Sequence, residues 1–257
     1  MMARTDKLAP LSEASPAALR AIRLVASDID GTMTESGKLM PAVLNAFERL
    51  QQAGIAVLPV TGRPAGEALG LARYLPYVNC AIAENGAVLV TPDQPVRALW
   101  TPPDRTHLLA VGRQIAPSNA PLVLTEDAFC RVGDVAYERG ARTTQALQRL
   151  KHEATQKGVY LVWSSVHIHL SLDPPDKGLS VLKVAAEMGY EGSHILTIGD
   201  APNDEGLWQV GRFGLTIATA DIDEYVDSVQ ALADFRCQAS GQSAWLEMVN
   251  ALLTARS

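Results

Sequence analysis

The apolar run Ile22–Ala26 predicts a strand buried on both faces. Beyond it the period changes. Between Met40 and Gly54, residues Val43, Phe47 and Leu50 return to one face and Gly54 ends the pattern, which predicts an amphipathic helix. A second apolar strand follows at Ile55–Val60, a helix at Ala65–Tyr74 and a third strand at Cys80–Ala83. The same alternation resumes after Lys177, with a helix at Gly178–Met188, a strand at Ile195–Ile198, a helix at Glu205–Val210 and a strand at Gly214–Ile217. A polar helix at Ile222–Val226 and a last helix at Ser243–Leu253 close the chain. Strands alternating with helices predict an α/β fold with a Rossmann-like parallel sheet covered on both faces.

Residues 91–173 read differently. They open on the turn Thr91-Pro92-Asp93 and carry strand-like pieces at Val96–Trp100, Phe129–Arg131, Val135–Glu138, Tyr160–Trp163 and His167–Leu172. Helical pieces lie at Arg105–Ile115 and Thr144–Lys157. This pattern predicts an α+β module inserted into a core made of residues 22–90 and 174–257. Residues 1–21, rich in Ala, Ser, Pro and charge, read as a loose tail with a short helix at Pro16–Ala21.

Composition narrows the partners. Of 257 residues, 47% are hydrophobic and 19% charged, the balance of a soluble globular protein. A net charge of -6 without a basic face argues against nucleic acid and leaves a small anionic substrate open. Cys80, Cys130 and Cys237 are far apart, which fits neither a disulfide framework nor a zinc site, so a reducing cytoplasm is expected. No stretch has the length and apolarity of a signal peptide or membrane span, so no membrane association is expected.

The residues that carry chemistry stand at strand ends, where open parallel sheets bind ligands. Asp28-Ile29-Asp30-Gly31-Thr32 follows the first strand. Two carboxyl groups this close can share a hard divalent cation, or divide nucleophilic and acid/base work. Thr61-Gly62-Arg63 follows the second strand and offers a hydroxyl and an N–H to a phosphoryl oxygen. Lys177 begins a helix, a position that is unfavourable for a cation unless an anion or the Asp28 carboxylate relieves it. Gly199-Asp200-Ala201-Pro202-Asn203-Asp204 places further carboxylates after the strand at 195–198.

These four segments, in this order, resemble the motifs of the haloacid dehalogenase superfamily of phosphatases. With Glu84-Asn85-Gly86-Ala87 and the position of the insertion, the chain resembles the Cof-type branch (subfamily IIB) with a C2B cap. That branch includes sugar-phosphate, sucrose-phosphate and mannosyl-3-phosphoglycerate phosphatases. The resemblance implies a magnesium-dependent phosphatase that passes through an aspartyl phosphate. In it Asp28 is the nucleophile and Asp30 the acid/base, while Thr61 and Lys177 hold the transferring phosphoryl group. Mg2+ is bound by Asp28, the Asp30 carbonyl and Asp200. Gly62, Arg63 and Asn203 are further substrate contacts, and Asp204 supports Lys177 or a metal-bound water.

Such caps close over the active site and exclude water. Residues 86–91 and 173–176 are the expected hinges. In His167–Leu172 the alternation sends Ile168, Leu170 and Leu172 to the cap helices and His167, His169 and Ser171 to the other face. His169 is therefore a candidate substrate contact, set against a solvated sheet face. In the stretch Arg131–Arg142, the residues Arg131, Glu138, Arg139 and Arg142 could bind a sugar hydroxyl, a carboxylate or a second phosphate, set against an exposed charged hairpin. The expected substrate is a sugar phosphate or similar small phosphorylated metabolite, handled by a monomer or homodimer. A sugar phosphomutase and a non-enzymatic binding protein are the alternatives.

Overall fold

The computed structural model describes residues 8–164 and 166–257. In chain order the strands and helices begin with β1 (Ala9–Pro10), α1 (Pro16–Ala21), β2 (Leu24–Ser27), α2 (Pro41–Gln52), β3 (Ala56–Pro59) and α3 (Ala65–Tyr74). Then come β4 (Ala81–Ala83), β5 (Val88–Val90), β6 (Arg97–Ala98), α4 (Arg105–Ile115), β7 (Val135–Glu138), α5 (Thr144–Gln156), β8 (Tyr160–Trp163) and β9 (His167–Ser171). The chain ends with α6 (Lys177–Glu187), β10 (Ile195–Gly199), β11 (Leu215–Ala218), β12 (Phe235–Arg236) and α7 (Gly241–Thr254).

Six strands form one parallel sheet in the order β1-β12-β11-β10-β2-β3. All four residues of β2 are buried, the apolar Leu24, Val25 and Ala26 together with Ser27. Alternate side chains feed opposite faces. Val25 joins a cluster with Phe47, Leu50, Trp245 and Met248, whereas Leu24 and Ala26 join one with Leu58, Val181 and Trp208. Helix α2 buries Val43, Ala46, Phe47 and Leu50, one stripe at helical spacing, and Phe47 meets Trp245 edge to face. From β2 the chain runs to β3 on one side; from β10 it runs to β11 on the other. This reversal opens a crevice beyond the carboxyl ends of β2 and β10. Ile198 lies opposite Ser27, so Asp28 and Asp200 flank that crevice.

The inserted module is a three-stranded antiparallel sheet, β7-β9-β8. One face packs on α4 and α5 through Leu108, Leu147, Trp163, Ile168 and Leu170. The other face, bearing His169, looks toward the crevice.

Several expectations change. The tail is packed from Leu8 onward: β1 pairs with β12 at the sheet edge, and Leu11, Ala14 and Leu19 are buried against α7's cluster. Residues 1–7 of that expected tail lie outside the described residues. Cys80–Ala83 does not extend the parallel sheet as a full strand. It touches Val60 through one bridge to Ile82 and heads a small antiparallel sheet, β4-β5-β6. β6 pairs with β5, and Leu99 and Trp100 pack against the cluster that holds Leu24 and Leu58. Phe129–Arg131 is no strand; Glu126–Cys130 is a short 3-10 helix with Phe129 exposed. Glu205–Val210 is replaced by a 3-10 helix over Pro202–Trp208, begun by Pro202. No described helix is long and apolar enough to cross a membrane.

Candidate active site

The turn after β2 is tied down by its backbone. Asp28 N–H donates to the Ile198 carbonyl at 3.0 Å, and the Ile29 carbonyl accepts from Thr32, Met33 and Thr34. Gly31 adopts φ +84°, and a β-carbon there would lie 2.5 Å from Asp200 Oδ2. Only glycine fits both demands. Thr32 Oγ1 donates to Asp200 Oδ1 at 3.2 Å, joining the two strand ends.

Lys177 opens α6, whose N-cap is Asp176. Its ammonium is fully buried, 2.6 Å from Asp28 Oδ1 and 2.6 Å from Asp204 Oδ1. Burial alone would lower its pKa, but Asp204 and then Asp28 reverse this and hold it above the ordinary lysine value. Asp204 Oδ2 accepts N–H groups from Asp200 at 2.9 Å and Ala201 at 3.2 Å, so both its oxygens are engaged.

Carboxylate oxygens of Asp28, Asp200 and Asp204 lie within 4.8 Å of one another, all buried. Lys177 supplies one positive charge against three potential negative ones. Burial first, then Asp204, pushes Asp28 up to about 7 despite Lys177. Burial, then Asp28 and Asp204, pushes Asp200 well above the usual carboxylate range. Concentrated buried negative charge with all-oxygen donors matches a hard divalent cation such as Mg2+. Asp28 and Asp200 are the carboxylates best placed to hold it, since Asp204 is already engaged.

Thr61, fully buried beyond β3, donates its N–H to the Ile82 carbonyl at 2.8 Å and accepts from Arg63 N–H on Oγ1 at 3.0 Å. Arg63 turns its fork to Asp30: Nε and Nη2 each lie 2.7 Å from a carboxylate oxygen. The bidentate pair fixes the Asp30 carboxylate, which is not one of the three clustered carboxylates. Asn203 Nδ2 donates to Asn85 Oδ1 at 3.0 Å.

The cap completes the enclosure. His169 is buried, not on a solvated face, and its Nδ1 lies 2.8 Å from Asp134 Oδ2. Arg131 is likewise buried rather than part of an exposed hairpin. It pairs with Asp127 and Asp134 at 3.0 Å and donates Nη1 to the Gly62 carbonyl at 3.0 Å. Asp28, Asp30, Arg63, His167, His169 and Asn203 line a cavity of about 10 Å³, room for about one water. A phosphate ester is much larger, so in this closed arrangement it can enter only if the cap lifts.

The structure thus gathers Asp28, Lys177, Asp200 and Asp204 in direct contact, with Asp30, Thr61, Gly62, Arg63, Asn203 and His169 around them. Sequence reasoning missed the work of Glu84. Glu84 and Asn85 both adopt positive φ, which aims Glu84 at the cap and Asn85 at Asn203. Glu84 accepts N–H groups from Ala65 and from Val132, Gly133 and Asp134. Its Glu-Asn-Gly run at a strand end was the available signal; Arg131 and Asp134 carry no local one. Burial, then Asp134, pushes the Glu84 carboxyl up to about 6 against the pull of these N–H groups.

Glu84→Gln places an amide donor against several N–H donors. It is expected to lower stability by about 2–3 kcal/mol, with a lower urea midpoint and faster hydrogen exchange at residues 132–134. Unchanged exchange there would show that this carboxylate does not hold the cap.

Comparison with known proteins agrees with the geometry. Residues 25–107 match the haloacid dehalogenase-like hydrolase family. The phosphoglycolate phosphatase of Methanococcoides burtonii is 28% identical over 211 residues, covering 79% of this chain and 86% of the relative. That of Archaeoglobus fulgidus is 27% identical over 217 residues, covering 82% and 92%. Among solved structures, a Thermoplasma acidophilum protein aligns with TM-score 0.72 at 18% identity over 91% of this chain and 98% of its own. The sucrose-phosphatase of Synechocystis aligns with TM-score 0.63 at 19% identity over 91% and 98%. At these identities the structural likeness is one of fold.

Proposed function

We propose that this chain is a haloacid dehalogenase-like hydrolase acting on phosphoric monoesters, a magnesium-dependent phosphatase that works through a phosphorylated Asp28. The substrate is a sugar phosphate or a similar small phosphorylated metabolite. The observation that carries this reading is the buried bridge of Lys177 between Asp28 and Asp204, with Asp200 within reach of the same point.

Asp28 attacks phosphorus, forming an O–P bond as the ester O–P bond breaks, and Asp30 gives its proton to the departing alcohol. Asp30, now a carboxylate, takes a proton from water. The resulting hydroxide attacks phosphorus and Asp28 leaves as a carboxylate. Thr61, Lys177 and Asn203 hold the phosphoryl oxygens, and Arg63 keeps Asp30 oriented. Asp28, Asp200 and the Asp30 carbonyl would hold Mg2+, which offsets the charge gathered on the phosphoryl group. The cap excludes water from the first step. The relatives named phosphoglycolate phosphatase make phosphoglycolate a substrate to include in any test.

A phosphate-release screen with Mg2+ over sugar phosphates, phosphoglycolate and nucleotides tests the reading; absence of release from every class would overturn it. Asp30→Asn is expected to slow turnover about 10²- to 10⁴-fold, read as kcat on the best substrate. A near-normal rate would move the acid/base role to another group.

A further inference from the structure

His169 is held more firmly than a surface residue needs to be. Its Nδ1 lies 2.8 Å from Asp134 Oδ2, and a carboxylate can only accept, so Nδ1 carries the hydrogen. Asp134 is already matched in charge by Arg131 Nη1 at 3.0 Å. Burial would raise its pKa, but Arg131 and then His169 hold it below the usual range. Burial depresses the His169 imidazole, only partly offset by Asp134, so the ring is neutral and Nε2 presents a lone pair. His167, its edge-on neighbour, is likewise held down to about 4, first by burial and then by His169.

That Nε2 is buried and has no hydrogen-bond partner among the described residues. It faces the cavity that also holds Asp28 and Asp30, close enough to the core that a β-carbon on Gly62 would lie 3.3 Å away. A buried acceptor without a donor is unfavourable, because it has lost its hydrogen bonds to water. No transferring phosphoryl group can relieve it, because a phosphate dianion offers only acceptors. The remaining part of the substrate is the alcohol, which leaves past Asp30 on the cap side.

Building on the phosphatase reading above, we infer that the cap recognises its substrate through His169, whose Nε2 accepts a hydrogen bond from a hydroxyl of the leaving alcohol. Asp134 and Arg131 act as positioning residues: Asp134 sets the tautomer, and Arg131 ties the pair to the Gly62 carbonyl of the core. The reading selects hydroxylated leaving groups over carboxylated ones, which carry no donor for this lone pair.

The test uses the full chain with Mg2+ and three substrates. Erythrose 4-phosphate has a hydroxylated leaving group, phosphoglycolate a carboxylated one, and p-nitrophenyl phosphate neither. His169→Leu removes the acceptor, and His169→Gln restores one. For His169→Leu, kcat/KM on erythrose 4-phosphate is expected to fall about 10- to 100-fold. On p-nitrophenyl phosphate it is expected to change by less than about threefold. His169→Gln should recover part of the loss, and it carries the test should His169→Leu not fold. Equal losses on both substrates, or no loss on either, would overturn the inference. So would a larger loss on phosphoglycolate, which would set a protonated ring against a carboxylate. Wild-type protein that releases phosphate from none of the three would instead overturn the phosphatase reading itself.

Discussion

Asp28→Asn is expected to reduce magnesium-dependent phosphate release to background while making the metal-free protein more stable. The amide keeps the shape of the side chain and an oxygen for Lys177, but it cannot attack phosphorus. The stability gain follows from proton linkage. Asp28 has an ordinary value of 3.8 and is pushed up to about 7 in the folded chain, by burial first and then by Asp204. Between those values the folded state binds more protons than the unfolded state. The favourable contribution is full below pH 3.8 and is lost as pH rises through about 7. At pH 8 the wild-type chain therefore holds a charged Asp28 at a cost that Asn removes, whereas near pH 4 the two proteins should differ little. Thermal melts in chelator at the two pH values check the sign, and phosphate release checks the chemistry. Added Mg2+ should stabilise wild type more than the variant, since the cation then loses one of its oxygens. Undiminished turnover by Asp28→Asn would sink the nucleophile assignment.

Lys177→Met should do the opposite to stability. The ammonium is fully buried and is the counter-charge in contact with Asp28 and Asp204. Removing one partner of a buried ion pair costs about 3–5 kcal/mol, because the charges left behind can no longer return to water. Three buried carboxylates make this an unfavourable place for such a loss. The variant should show a much lower urea midpoint, partly restored by Mg2+, and negligible phosphate release. Adding Asp204→Asn should recover much of the lost stability, because the two changes act on one pair and cannot be additive. A single variant as stable as wild type would show that the charges are screened by something other than Lys177.

How much of this was legible in the chain depends on the range of the interactions. The runs at 22–26, apolar but for Arg23, and at 55–60 announced buried parallel strands, and Val43, Phe47 and Leu50 announced α2 by spacing alone. Asp28, Thr61, Lys177 and Asp200 were readable because each sits at a strand end or helix start, a local feature. The turn at Gly31 is of the same kind, since its φ of +84° is a demand on one residue. The β1–β12 edge was not readable, since two-residue strands carry no periodicity and form only where a neighbour offers its hydrogen bonds. The same holds for residues 91–100, whose strand pairs back onto β5.

The cap shows the division most clearly. The alternation in His167–Leu172 placed His169 on the face opposite the cap helices, and that much belonged to the sequence by itself. Whether that face met water or the core could not be read from it. Asp134 lies 35 residues from His169, Gly62 lies 69 from Arg131, and Glu84 lies 48 from Val132. Local periodicity determined the elements and the strand ends where chemistry collects. Only the tertiary structure decided which distant charges are buried together, because the energy of a buried charge depends on neighbours that the chain brings into contact only when it folds.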